Sequence, residues 1–249
     1  MTKIRNFYRD ILVYVLSSFF YLFLRGKILL FLQDLYFFPE WRKYRCFKKG
    51  VLSHQIPWIN FASISFLNKF LKKEMKVFEY GSGGSTLFFA SRTDIIISLE
   101  HNNAWHEKVN NILVEKGFCN VEYRLILPQL IKDNFDRDCT LPENYSSCNI
   151  EYESFDFREY VNSIDLFPNS YFDLVFVDGR ARPSCIMHSM SKIKKYGMLL
   201  VDNTDRVYYT KSFPELFDKN KWSATIFAGH FPNGSASILG YSTVFIKLN

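Results

Sequence analysis

Cysteine is scarce in this sequence and wrongly spaced for metal. The five cysteines, Cys46, Cys119, Cys139, Cys148 and Cys185, are odd in number, and no two stand in C-x-x-C spacing. That argues against a zinc site and against the disulfide framework of a secreted domain. The plain expectation is reduced thiols in a cytoplasmic protein, with a Cys139–Cys148 pair inside one loop as the alternative. Strong charge bias is also missing. A net charge of +6 permits an anionic membrane or polyanion partner without demanding one. The basic residues form no run interleaved with aromatics, so no nucleic-acid partner is expected. The longest apolar run, Ile11 to Leu24, is 14 residues. As a helix it reaches about 21 Å, short of a hydrocarbon core of about 30 Å.

What is present is a globular composition, 48% hydrophobic and 22% charged, in a chain of 249 residues. That is one ordinary domain plus an appendage, with a large core. Its organising stretch is Val77 to Thr86, VFEYGSGGST. A short apolar run ends in the acid Glu79, a glycine-rich turn follows, and Leu87 to Ala90 opens a helix. This strand–turn–helix is the first unit of a nucleotide-binding α/β sheet, or else only a turn. Gly81 and Gly83 let a ligand approach the backbone, and Ser85 or Thr86 can cap the helix. A second buried-strand pattern, Asp94 to Glu100, ends in an acid 19 positions after Gly81. An acid there is placed to accept hydrogen bonds from ribose hydroxyls. The alternative is that Glu100 merely ends a strand.

With these motifs the sequence resembles the class I S-adenosylmethionine-dependent methyltransferases. It is most similar to a bacterial group with Ile-Pro-Trp before the first strand and Phe-Glu-Tyr-Gly-Ser-Gly at the turn, here Ile56–Trp58 and Phe78–Gly83. The likeness continues through Ser98–His101, Phe172–Arg182 and Gly197–Arg206, and it covers roughly residues 54 to 249. Ser85 stands where the group has a third glycine. The resemblance implies a Rossmann-like α/β fold, a seven-stranded sheet with helices on both faces. It also implies S-adenosylmethionine as cofactor, held by Glu79, Tyr80, Gly81, Ser82, Gly83, Ser85, Thr86, Glu100, His101 and Asp178. Pro57 and Trp58 are candidates to line that site.

The chain divides into residues 1–50, an apolar helical extension with a basic connector, and residues 51–249, the methyltransferase domain. A chain beginning near residue 50 is therefore expected to bind cofactor still. Residues 11–38 have three readings: a hairpin at or in a membrane surface, a buried cap or homodimer contact, or a spanning anchor. Basic flanks on both sides suit an anionic surface, which would put the protein at the inner face of a membrane. Downstream, helices are expected from Trp58, over 103–117, over 157–164 and over 187–196. Strands are expected over 120–127, 171–177 and 198–201, with a final antiparallel pair around 224–228 and 241–247 and a Pro-Asn-Gly-Ser turn region between them. Residues 129–154 show no period and read as a substrate lid or a variable insertion.

Catalysis by methyl transfer requires alignment and a base for the acceptor's proton. Asp178, Asp202 and Asn203 follow two strands at one edge. They are candidate catalytic groups and candidate Mg²⁺ ligands, similar to the metal triad of catechol-type O-methyltransferases. The alternative is that Asp178 contacts the methionine end or a loop backbone while Asp202 and Asn203 cap a turn. His188 is a candidate base. Arg180, Arg182 and Arg206 suit an anionic group on the acceptor, or pair with Asp202 and Asp205. The expected function is methyl transfer to a small-molecule, glycan or lipid-linked acceptor at oxygen. The competing classes are a non-catalytic binding module held at a membrane or partner, and a nicotinamide oxidoreductase.

Overall fold

The computed structural model describes residues 2–46, 50–131, 137–232 and 238–249, with only the backbone of 2–5 and Cys46. The turn region after Pro232 and Lys48–Lys49 of the basic connector lie outside the described residues.

The N-terminal layer is α1 (Thr2–Tyr21), a 3-10 turn, α2 (Ile28–Tyr36) and α3 (Phe38–Cys46). Short α4 (Val51–His54) and α5 (Phe61–Phe70) follow, and Asn60 caps α5 by accepting from the Ser63 N–H at 2.9 Å. Then come β1 (Lys76–Tyr80), α6 (Gly84–Ala90), β2 (Ile95–Glu100), α7 (Asn103–Glu115) and β3 (Val121–Leu125). Two short strands, β4 (Gln129–Leu130) and β5 (Phe155–Asp156), pair antiparallel and pinch off the 129–154 segment. The chain continues through α8 (Arg158–Asn162), β6 (Phe172–Val177), α9 (Arg182–Ser189), β7 (Ile193–Asp202), β8 (Trp222–His230) and β9 (Leu239–Lys247).

Seven strands form one sheet in the order β3-β2-β1-β6-β7-β9-β8. The first five run parallel, and β9 is antiparallel to both neighbours. Strands buried on both faces explain the apolar runs. Alternate residues feed opposite cores. Phe78, Leu99, Val175 and Leu199 face α8 and α9, whereas Val77, Ile96, Leu174 and Leu200 face α5 and α6. Tyr14 of α1 and Trp41 of α3 are fully buried in the second core.

Two expectations are corrected. Residues 187–196 are not one helix: α9 starts at Arg182, with Pro183 in its first turn, and β7 already begins at Ile193. Proline is well placed at a helix start, where its missing N–H has no intrahelical partner to lose. The chain turns to strand here because Ile193 already pairs with Phe172 of β6, and beside that pair Lys194 Nζ meets Asp173 at 2.8 Å. Cys139 and Cys148 are disulfide-bonded, closing a loop inside the 129–154 segment, while Cys119 and Cys185 are free. The apolar stretch also belongs to a longer helix than its run suggests. The 20 residues of α1 extend about 30 Å.

Candidate functional site

The strand order reverses between the parallel neighbours β1 and β6, and there the loops after the strands splay apart to leave a crevice. The turn after β1 fits against the loop after β6. A Cβ on Gly81 would stand 2.7 Å from the Gly179 backbone, and Gly81 has φ +93°, so only glycine suits that position. Gly84 is equally constrained, because a Cβ would meet the Ile56 carbonyl at 2.2 Å. Gly83, in contrast, has extended backbone and only Trp105 within ordinary contact.

Beside this turn lies a cavity of about 650 Å³. Of the residues expected at the cofactor, Gly81, Ser82, Glu100, His101 and Asp178 line it, joined by Asp202, Asn203 and Trp58. Asn102, Trp105, Glu151, Tyr152, Phe231 and Ile238 complete the wall together with Gly179, Arg180 and Arg182.

Glu79, Tyr80, Gly83, Ser85 and Thr86 do not line it. Tyr80 is a core residue whose hydroxyl donates to the Val161 carbonyl at 2.7 Å. Ser85 is buried in α6. Thr86 accepts from the Gly83 N–H at 2.9 Å and donates to Glu79 Oε2 at 2.6 Å. Ser98 of β2 donates to the same oxygen at 2.5 Å. Glu79 thus ties β1, β2 and α6 together from inside. Burial pushes its carboxyl up to about 7, against the surrounding hydroxyls, which favour the charge.

Glu100 at the tip of β2 is the reverse case. Its Oε2 accepts from the Ser82 N–H and hydroxyl at 3.3 and 2.8 Å, and its Oε1 accepts from the N–H groups of His101 and Asn102 at 2.8 and 2.9 Å. Burial disfavours the charge, but His101, Ser82 and the Asn102 N–H outweigh it and hold the carboxyl below its ordinary value. The Ser82 hydroxyl also meets Tyr123 Oη at 2.6 Å, and the Trp105 indole N–H donates to the Ser82 carbonyl at 2.9 Å.

Arg182 governs the other wall. It is 6% exposed, pairs with Asp178 Oδ1 at 2.9 Å, and donates to the carbonyls of Asp178, Gly179 and Asp202. Asp202 Oδ1 accepts from Ser242 Oγ at 2.6 Å, and Ser242 is in turn held by Asn60 at 3.1 Å. Burial, and then the neighbouring negative charge of Asp178, push the Asp202 carboxyl above its ordinary range. Asp178 is raised as well, by burial first, with Arg182 opposing.

This donor set does not fit Mg²⁺ at Asp178, Asp202 and Asn203. A guanidinium already occupies one carboxylate, and a serine hydroxyl takes an oxygen of the other. His188 is corrected too. It lines neither cavity described here, and its ring nitrogens meet Asp165 at 2.6 Å and Tyr145 at 3.1 Å.

A second cavity, of about 540 Å³, adjoins the first and shares Gly179, Arg180, Arg182 and Asn203 with it. Ser146 and Ser147 from the 129–154 segment and Arg206 after β7 line it. Two buried donors in it lack hydrogen-bond partners, Arg180 Nε and Ser146 Oγ.

No family model matches the chain, and no curated protein matches it. Solved structures do. A protein from Klebsiella pneumoniae, assigned as an O-methyltransferase, superposes at TM-score 0.55 and 13% identity, over 88% of this chain and 97% of its own. An rRNA methylase from Streptococcus thermophilus gives 0.50 and 13%, over 76% and 95%. A protein from Streptococcus mutans, assigned as a methyltransferase and solved with SAH, gives 0.50 and 11%, over 75% and 96%. The chain therefore has the class I methyltransferase fold.

Proposed function

We propose that this protein transfers a methyl group from S-adenosylmethionine to an oxygen of a small anionic acceptor, free or carried on a glycan or lipid. The observation that carries the reading is the pair of adjoining cavities at the sheet's reversal point. One is built around Gly81 and Glu100. The other presents unpartnered cationic and hydroxyl donors. The SAH-bound structure of the same fold supports the choice of cofactor.

In this reading Glu100 receives the ribose hydroxyls. The Ser82 hydroxyl turns on a single torsion, so its place at Oε2 is the one a ribose hydroxyl takes. Trp105 supplies a flat wall, and the bare Gly81 backbone permits close approach. The cofactor supplies an electrophilic sulfonium methyl. Arg180, Arg206 and Ser146 orient the acceptor's anionic group in the second cavity, which saves the entropy of a bimolecular encounter. Asp202 takes the acceptor's hydroxyl proton. Its raised pKa brings it nearer neutral pH, where a general base works best.

The test is transfer of tritium from methyl-labelled cofactor into panels of phosphorylated and carboxylated hydroxy compounds, neutral analogues and structured RNA. Label entering anionic small molecules, with Arg180→Ala raising KM at least about tenfold, is expected. Label confined to RNA or to neutral acceptors would overturn the acceptor assignment.

A further inference from the structure

The N-terminal helices carry two opposed faces. On α1 the buried line is Asp10, Tyr14 and Ser18, at steps of four, and Leu22 just after the helix is buried too. Tyr8, Leu12, Leu16 and Phe20 stand two residues out of step, about 200° round the axis, and Leu24 follows in the 3-10 turn. Leu12, Phe20 and Leu24 are each about 60% exposed. In α2 the arrangement repeats: Asp34 is buried, while Leu32 and Tyr36, two positions either side, are exposed, as is Leu29. Both inner faces meet the sheet through β8. Asp34 accepts from the His230 N–H at 2.9 Å and pairs with His230 Nδ1 at 2.8 Å, and Tyr14 Oη donates to the Asp34 carbonyl at 2.6 Å. The outer faces therefore both point away from the domain.

Charge on α1 and α2 is one-sided, and the exposed acid Glu40 stands beyond them in the first turn of α3. Between residues 6 and 39 the acids are Asp10 and Asp34, both buried, and the exposed charges are the cations Arg9, Arg25 and Lys27.

We infer that this face is a peripheral docking surface for an anionic lipid bilayer. The helices lie in the interface with Leu16, Phe20 and Leu29 among the acyl chains and Arg25 and Lys27 at the headgroups. A spanning role for α1 conflicts with its anchoring, although its length suffices. Pulling it out would strand Asp10 from Arg42 and Arg45 and break the Tyr14–Asp34–His230 cluster. A second copy is the poorer occupant, because a two-fold contact would set this cationic rim against itself, whereas an anionic bilayer complements it. The inference stands whether or not the methyl-transfer reading holds.

The test is co-sedimentation of the full chain with phosphatidylcholine vesicles, with and without phosphatidylglycerol. Binding that grows with phosphatidylglycerol and weakens with salt is expected. Leu16→Glu combined with Phe20→Glu should cut it at least about tenfold. Arg25→Glu combined with Lys27→Glu should remove the preference for the anionic vesicles. Circular dichroism melts of both variants establish that they are folded. A folded wild type that ignores all vesicles would overturn the inference. So would a dimer that dissociates in the Leu16/Phe20 variant, or membrane protein that resists alkaline carbonate and so spans the bilayer.

Discussion

The molecule buries carboxylates in two ways. In the N-terminal layer Asp34 is met by a backbone N–H, an imidazole and a phenol, and Asp10 is ion-paired to Arg42 and Arg45. Where the strand order reverses, the Asp178 carboxylate meets the Arg182 guanidinium, the Asp202 carboxylate a serine hydroxyl, and Glu79 the hydroxyls of Thr86 and Ser98. In the first region the carboxylates fasten helices to the sheet and to one another. In the second, burial outweighs the partners and raises the carboxyls' pKa values, which leaves protons to exchange. The difference separates a structural layer from a reactive edge within one chain.

The largest expected effect is in the first region. Asp34→Ala leaves the His230 N–H and Nδ1 without their carboxylate in the core, while Tyr14 keeps the backbone carbonyl, and should cost about 3–5 kcal/mol, read by urea unfolding. The same packing predicts that a chain beginning at residue 50 aggregates, since Trp41 and Tyr14 fill the core beneath α5. A soluble, cofactor-binding fragment would break the comparison by showing the layer to be dispensable.

Next is Gly81→Ala. The added methyl meets the Gly179 backbone at 2.7 Å with φ at +93°, and cofactor affinity should fall at least about tenfold. Gly83→Ala, with no such contact, should change it little. Calorimetry on both variants checks the pair.

The reactive edge also sets a pH dependence. Glu79 rises to about 7 on folding, and Asp202 and Asp178 rise too. Each raised acid binds a proton more tightly folded than unfolded. Its contribution is therefore complete below the unfolded value near 4 and lost as pH climbs through the folded value. Glu79 alone contributes about 3 kcal/mol to this trend. Stability should fall between about pH 5 and pH 8. Asp202→Asn should flatten the curve while cutting turnover about 10²-fold or more. A wild-type stability that rises over that window would contradict the assignment.

The smallest effect belongs to His188→Ala. It loses bonds to Asp165 and Tyr145, costing about 1 kcal/mol of stability, and turnover should be unchanged.

Much of the reactive edge was legible in the sequence because strand tips are local features. Gly81, Ser82, Glu100, His101, Asp178, Asp202 and Asn203 all reach the cavity. Glu79 shows where that reasoning stops. An acid ending a strand can point into the crevice or beneath it, and only the pleat decides. Trp105, Phe231 and Ile238 enter from a helix start and a distant hairpin, contacts that no spacing along the chain announces. The lysine-rich start of β7 suggests an exposed helix face along the chain, whereas its strand pairing, Ile193 with Phe172, comes from another strand. The outer face of α1 was visible as apolar residues, but its inner polar line was not, since its partners Asp34 and His230 lie 20 and more residues away.

The most direct measurement is isothermal titration of the full chain with S-adenosylmethionine, with and without Mg²⁺. The account predicts micromolar binding that Mg²⁺ leaves unchanged and that Glu100→Ala abolishes. No binding by a folded sample would contradict the central claim, and strong dependence on Mg²⁺ would contradict the assignment of Arg182 to the place a metal would take.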